Sequence, residues 1–171
     1  MKKLLICLLI CLPLWNSVRA QTDTAYVTEA AMVQARVMAD AYLHEEYDRF
    51  IDFMHPRLTD MLGGRDTLVK MFRKTTAQGI KTTRMEILRV KGVMANDTSV
   101  QCVLDQEQEM MMFGTEYITK GNLIGISYDK GIHWYFINVA TNSIEELQKL
   151  FPELIGDLPV KPQDGPRFKK N

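Results

Sequence analysis

From Thr24 to His44, the residues Val27, Ala31, Ala35, Met38, Ala39 and Tyr42 recur at spacings of three and four. That period lines one face of a helix. Tyr47, Phe50, Ile51 and Met54 repeat it over Tyr47 to Met54, and Pro56 ends the segment, because proline lacks the amide a helix needs. Leu58 to Leu62 has room for one further turn before Gly63-Gly64. Arg65 to Gln78 then reads as a third helix, with Leu68, Val69, Met71 and Phe72 inward and Gly79 as its stop.

Beyond Gly79 the period shortens to two and β-branched residues accumulate. Strands are expected near Ile80 to Val93, Ser99 to Phe113, Glu116 to Tyr128 and His133 to Val139, with turn signals at Gly92 to Asp97, Gly114, Lys120 to Asn122 and Asp129 to Gly131. Short links make them antiparallel neighbours. His133-Trp134-Tyr135-Phe136-Ile137 lacks strict alternation, which suits a central strand covered on both faces. Ser143 to Leu150 fits a short helix, with Ser143 and Glu146 spaced as a capping box. The predicted fold class is α+β: three N-terminal helices packed in a curved antiparallel sheet of about four long strands.

Composition narrows the class. The chain has 171 residues, 46% hydrophobic, with 21 basic and 21 acidic side chains, which suits one globular domain and gives no overall attraction to nucleic acid. Lys2 and Lys3 before the apolar run Leu4 to Leu12, with Val18-Arg19-Ala20 behind it, form the pattern of an export leader cleaved near Ala20. The run is too short for a membrane span. Cleavage would remove Lys2, Lys3 and Arg19, leaving a mildly acidic, periplasmic or secreted chain. Cys7 and Cys11 would go too, so Cys102 could form no intrachain disulfide and is expected as a buried apolar residue. The expected organisation is a leader over 1–20, one domain over 21–158 and a flexible tail over 159–171, where Pro159, Pro162, Gly165 and Pro166 alternate with polar groups.

The element order, Phe53-Met54-His55-Pro56 followed by Gly63-Gly64-Arg65-Asp66, and the terminal Trp134-Tyr135-Phe136 strand resemble the nuclear transport factor two-like superfamily, which includes ketosteroid isomerase and the SnoaL-type polyketide cyclases. The resemblance spans about Ala25 to Val139. It implies a cone-shaped, cystatin-like roll whose sheet wraps the helices and leaves a cavity at the open end. It also implies that a homodimer could form through the outer sheet face.

Few residues carry candidate chemistry. Asp105, Glu107 and Glu109 share one strand parity, opposite to Val100, Cys102, Leu104, Met110 and Met112, so alternation turns the carboxylates outward unless a bulge reverses them. His44, His55 and His133 show no close metal-ligand spacing, and no cofactor motif is present. Ser127-Tyr128-Asp129-Lys130-Gly131-Ile132-His133-Trp134 matches the Asp-box pattern, read here as turn chemistry because the chain is too short for a propeller. In a cone, the pocket lining would be Met38, Phe50, Met110, Met112, Tyr117 and Phe136. The leading expectation is a noncatalytic exported domain that binds a small apolar ligand or a protein partner. The alternatives are an isomerase or cyclase with a carboxylate or histidine in the cavity, and a structural dimerisation module.

Overall fold

The computed structural model describes residues 24–169. The export leader expected over 1–20 lies outside the described residues. The elements run α1 (Thr24–Leu43), α2 (Tyr47–Asp52), α3 (Pro56–Met61), α4 (Arg65–Ala77), β1 (Ile80–Ala95), β2 (Val100–Met112), β3 (Thr115–Ser127), β4 (Tyr135–Asn138), α5 (Ile144–Leu150) and β5 (Arg167–Phe168). This is an α+β fold of helices followed by an open antiparallel sheet in the order β1-β2-β3-β4, with β5 also on β3. The single turn expected near Leu58 is a helix of its own, so among the described residues four helices rather than three precede the sheet. No described helix is long and apolar enough to cross a membrane.

The two faces of the sheet are covered differently. The small residues Ala31, Ala35 and Ala39, together with Val27 and Met38, let α1 sit close against an inner face formed by Ile87, Val100, Cys102, Leu104, Leu123, Trp134 and Phe136. On the outer face Val103, Ile124, Ile126, Ile137 and Val139 pack under Leu147 of α5 and under Phe151, Leu154 and Leu158. The Ser143–Glu146 capping box forms as the sequence suggests. Register slips between Thr82 and Arg84, Ile87 and Arg89, and Val90 and Gly92 put three irregularities in β1, and such bulges bend and twist a strand. β2 and β3 pair without a slip from Val100↔Ser127 to Met112↔Thr115.

The fourth strand is short and lies at the edge of the main path, not at its centre. Its expected two-sided burial is present: Phe136 joins the inner cluster and Ile137 the outer one. The Phe53–His55 segment covers its free edge, with Phe136 N donating to Phe53 O (2.7 Å) and His55 N to Phe136 O (3.2 Å). Because β4 spans four residues, the far half of the β3 edge is left for another partner. Residues 159–169, expected as part of a frayed tail, take that place. Lys161 N donates to Asn122 Oδ1 (2.7 Å), Asp164 N to Lys120 O (3.0 Å) and Lys169 N to Glu116 O (3.1 Å). Unpaired edge groups favour such pairing.

The β2–β3 hairpin turns through Phe113 (φ 51°) and Gly114 (φ 82°). Two-residue hairpins favour positive φ at both positions and prefer Asn-Gly there, whereas a bulky side chain in that region costs about 1–2 kcal/mol. Phe113 is 79% exposed, so little burial offsets the strain. Phe113→Asn should therefore raise the unfolding free energy by about 1 kcal/mol, read as a higher urea midpoint at unchanged slope. A lower midpoint would show that the phenyl ring makes a compensating contact.

Candidate functional site

Directly opposed residues on β2 and β3 share a face, so the unbroken register sorts their chemistry cleanly. Outward go Asp105, Glu107, Glu109, Glu116 and Lys120; the β1 positions facing the same way include Arg84, Glu86 and Arg89. Asp105 accepts from Arg89 Nε (2.9 Å) and Asn122 Nδ2 (2.8 Å), with Lys91 Nζ at 3.1 Å. Partial burial pushes its carboxyl up, but these donors outweigh burial and hold it below the usual range. Glu107 meets Lys120 (2.6 Å). Lys169 (2.7 Å) and Arg84 (2.9 Å) hold Glu109, and their hydrogen bonds lower its pKa. The three carboxylates thus lie on the outer face in ion pairs, away from α1. The apolar half of that face lies under α5 and the chain that follows it, so the surface left for a sheet-to-sheet dimer is this field of paired charges.

Inward-facing positions carry no Asp, Glu, His, Lys or Arg on β1, β2 or β3. The parity of Val100, Cys102 and Leu104 continues through Gln106 and Gln108 to Met110 and Met112, opposite Gly121, Thr119, Tyr117 and Thr115. Gln106 and Thr119 are each 2% exposed. Gln108 Nε2 donates to Gln106 Oε1 (3.1 Å), while the Thr119 hydroxyl is buried without a hydrogen-bond partner among the described residues. A Cβ added to Gly121, which opposes Gln106, would come 3.1 Å from Cγ of Gln163, so the C-terminal segment brings a third glutamine to this patch. The result is an uncharged polar floor of Gln106, Gln108, Thr119 and Gln163, with Met85, Met110 and Tyr117 on neighbouring positions of the same face.

The six expected lining residues fall into two groups: Phe50 packs against the core cluster that holds Met38 and Phe136, and Met110, Met112 and Tyr117 lie together further along the inner face. Met110, Met112 and Tyr117 occupy the half-exposed end of the inner face, and the Tyr117 ring lies 5.1 Å from that of Phe168 on β5. Met38 and Phe136 are locked in the core between α1 and the sheet. Phe50 sits among Tyr42 and Phe72, with ring centroids at 4.8 and 5.5 Å, at the junction of the helices. Cys102 is fully buried, and burial pushes its thiol up to about 12, so it is no nucleophile near neutral pH.

A second polar cluster forms on the other side of the sheet. His55 is 4% exposed, its Nε2 is 2.8 Å from Tyr128 Oη and 3.4 Å from Glu153 Oε1, and its ring meets Phe151 edge-on at 5.2 Å. His55 Nδ1 has no partner among the described residues. Burial lowers the imidazole pKa against the attraction of Glu153, and the nearby Arg57 lowers it further. Tyr128 is pushed up to about 12, first by burial and then by Glu153. A neutral imidazole beside a phenol that keeps its proton ties the α2–α3 junction to the loop after β3, and Glu153 and Phe151 tie it to the chain after α5.

His44 bonds back to Asp40 and His133 to Asp129, both on the surface. The Asp-box octapeptide is turn chemistry: Ser127 Oγ donates to Asp129 Oδ1 (2.8 Å) and accepts from Gly131 N (2.8 Å), while Trp134 Nε1 donates to Gly131 O (2.9 Å). Among the described residues no group of three or more His, Cys, Asp or Glu is placed to hold a metal ion. No protein-family model matches the chain, and no curated protein matches it either.

Proposed function

We propose that this chain is an exported, noncatalytic binding domain of nuclear transport factor two-like build, and that its inner sheet face takes a small, largely apolar molecule. The observation carrying the proposal is the Thr119 hydroxyl, buried without a partner beside Gln106 and Gln108. Leaving such a group unpaired costs about 1–3 kcal/mol; on the other side of the sheet His55 Nδ1 is also unpartnered, but it sits within the His55–Tyr128–Glu153 cluster, and the buried amides there are engaged: Asn122 serves Asp105 and the Lys161 amide, and Gln101 serves Glu153 O and the Ile155 amide. A site with a few polar groups set among methionine and aromatic side chains suits an apolar ligand with one polar end. Against the isomerase or cyclase alternative stands the chemistry of the inward strand positions, which supply no carboxylate or imidazole as a general base.

The test is a thermal-shift titration with decanol, since a ligand that binds only the folded chain raises its stability by about 2.7 kcal/mol at a hundred times its Kd. A saturable rise in Tm supports the reading. No rise up to the solubility limit, with no copurified compound in native mass spectrometry, contradicts it.

A further inference from the structure

Resting on that reading, we infer that the inner face selects electrically neutral ligands, holding a hydroxyl or carboxamide head against Thr119, Gln108 and Gln106 and rejecting carboxylates and ammonium groups of equal chain length. Every inward position of β1, β2 and β3 is uncharged, and charged side chains begin only on the opposite parity. An ionised head placed here would lose its water without gaining a counter-ion. Burial of an unpaired charge costs several kcal/mol even after relaxation, which corresponds to about a hundredfold or more in affinity.

The polar groups match a neutral head. The Thr119 hydroxyl offers one O–H donor and two lone pairs, none engaged. Gln108 spends one amide hydrogen on Gln106 Oε1; a primary carboxamide has two, so a second remains for a ligand oxygen. An alcohol can accept from the Gln108 amide while donating to Thr119 Oγ1, and a carboxamide can do the same with its carbonyl and its NH2. A carboxylate can only accept, and an ammonium group can only donate, so each leaves part of this floor unpaired besides lacking a counter-charge. Gly121 has a specific part here: Gln163 packs where a Cβ would project, which holds a third amide over the same patch.

The experiment uses four probes with the same ten-carbon tail: decanol, decanamide, decanoate and decylammonium. Each is titrated below its aggregation limit into the full mature chain, and binding is read by displacement of the neutral dye Nile red and by thermal shift. Decanol and decanamide are expected to bind about a hundredfold more tightly than either ion. Thr119→Val, which keeps shape and removes the hydroxyl, should weaken decanol about tenfold, and Thr119→Ser should restore it. Gln108→Lys should reverse the order by admitting decanoate. Equal binding of decanoate and decanol overturns the neutrality inference and leaves the binding reading standing. Failure of all four probes overturns the binding reading itself. An unchanged decanol affinity in folded Thr119→Val removes this hydroxyl from the site.

Discussion

Trp134→Ala is expected to lower the unfolding free energy by about 3–5 kcal/mol, a large part of the roughly 5–15 kcal/mol available to a domain of this size. The indole is 1% exposed and joins α1 to the inner sheet face in one cluster with Val27, Ala31, Cys102 and Phe136. It fits because β3 has glycine at 125: a Cβ there would lie 2.9 Å from Cys102 Sγ, 3.1 Å from Trp134 Cε3 and 3.2 Å from Phe136 Cε1. Truncation leaves a cavity that this close-packed wall cannot fully collapse, and it strips Gly131 O of the donor supplied by Nε1. The backbone of Trp134 is itself tied to α1, since Gln34 Oε1 accepts from Trp134 N (3.0 Å) and Gln34 Nε2 donates to Ile132 O (2.8 Å). Urea denaturation followed by circular dichroism measures the loss. A loss under about 1 kcal/mol would mean that this cluster does not fasten the helix to the sheet.

Acid should weaken the fold through His55 before it reaches the carboxylates. The unfolded imidazole protonates near its ordinary value of about 6.5, whereas burial holds the folded one lower. Below about pH 6.5 the unfolded chain therefore takes up a proton that the folded chain refuses, and stability declines as the pH falls. The decline from this group stops at the lowered folded pKa, because both states are then protonated. Above the ordinary value it contributes no slope. Glu153 draws the proton toward His55, Arg57 opposes it, and Tyr128 keeps its own proton, so no other neighbour reverses the sign. Asp105, Glu109 and Asp129 have lowered pKa values, the last to about 2, and their losses begin only at more acidic pH. His55→Gln keeps a polar group toward Tyr128 and removes the titration. Its stability should be flatter than the parent's between pH 6.5 and the folded pKa of His55, as measured by urea midpoints over that interval. Parallel curves for parent and variant would contradict the account of this cluster.

The parts of the fold legible in the sequence are those where a local period sets the answer. The alanine stripe of α1 and the capping box before α5 are of this kind. So is the Ser127–Trp134 turn, whose hydrogen bonds are local enough to be written in eight residues. The misplaced features depend on partners far along the chain. Nothing near Tyr135 announces that β4 stops after four residues, and nothing near Lys161 announces that the vacated β3 edge will take up the segment around it. Long-range closure also explains why Met38 and Phe136 are core rather than pocket: their burial is set by how close the alanines let α1 approach.

The polar floor was partly visible. Gln106 and Gln108 stand at the same parity as Cys102 and Leu104, and a polar side chain at a core position is a signal in its own right. The carboxylates on the alternate positions carry the more conspicuous chemistry. Thr119 is marked only by the β2–β3 register, and Gln163 stands in a proline-rich polar segment with no local period. The pairing of His55 with Tyr128 spans 73 residues and carries no motif.

The central claim is that the inner face, and not the outer one, is where a ligand sits. Side-chain NMR of the chain during a decanol titration tests it most directly, reading the amide resonances of Gln106, Gln108 and Gln163, the Thr119 methyl, and the ring signals of His55, Tyr128 and Phe151. Saturable shifts concentrated on the three glutamines and Thr119, with the His55 cluster silent, are the predicted result. Shifts confined to His55, Tyr128 and Phe151, or none on the inner face at saturating decanol, would contradict it.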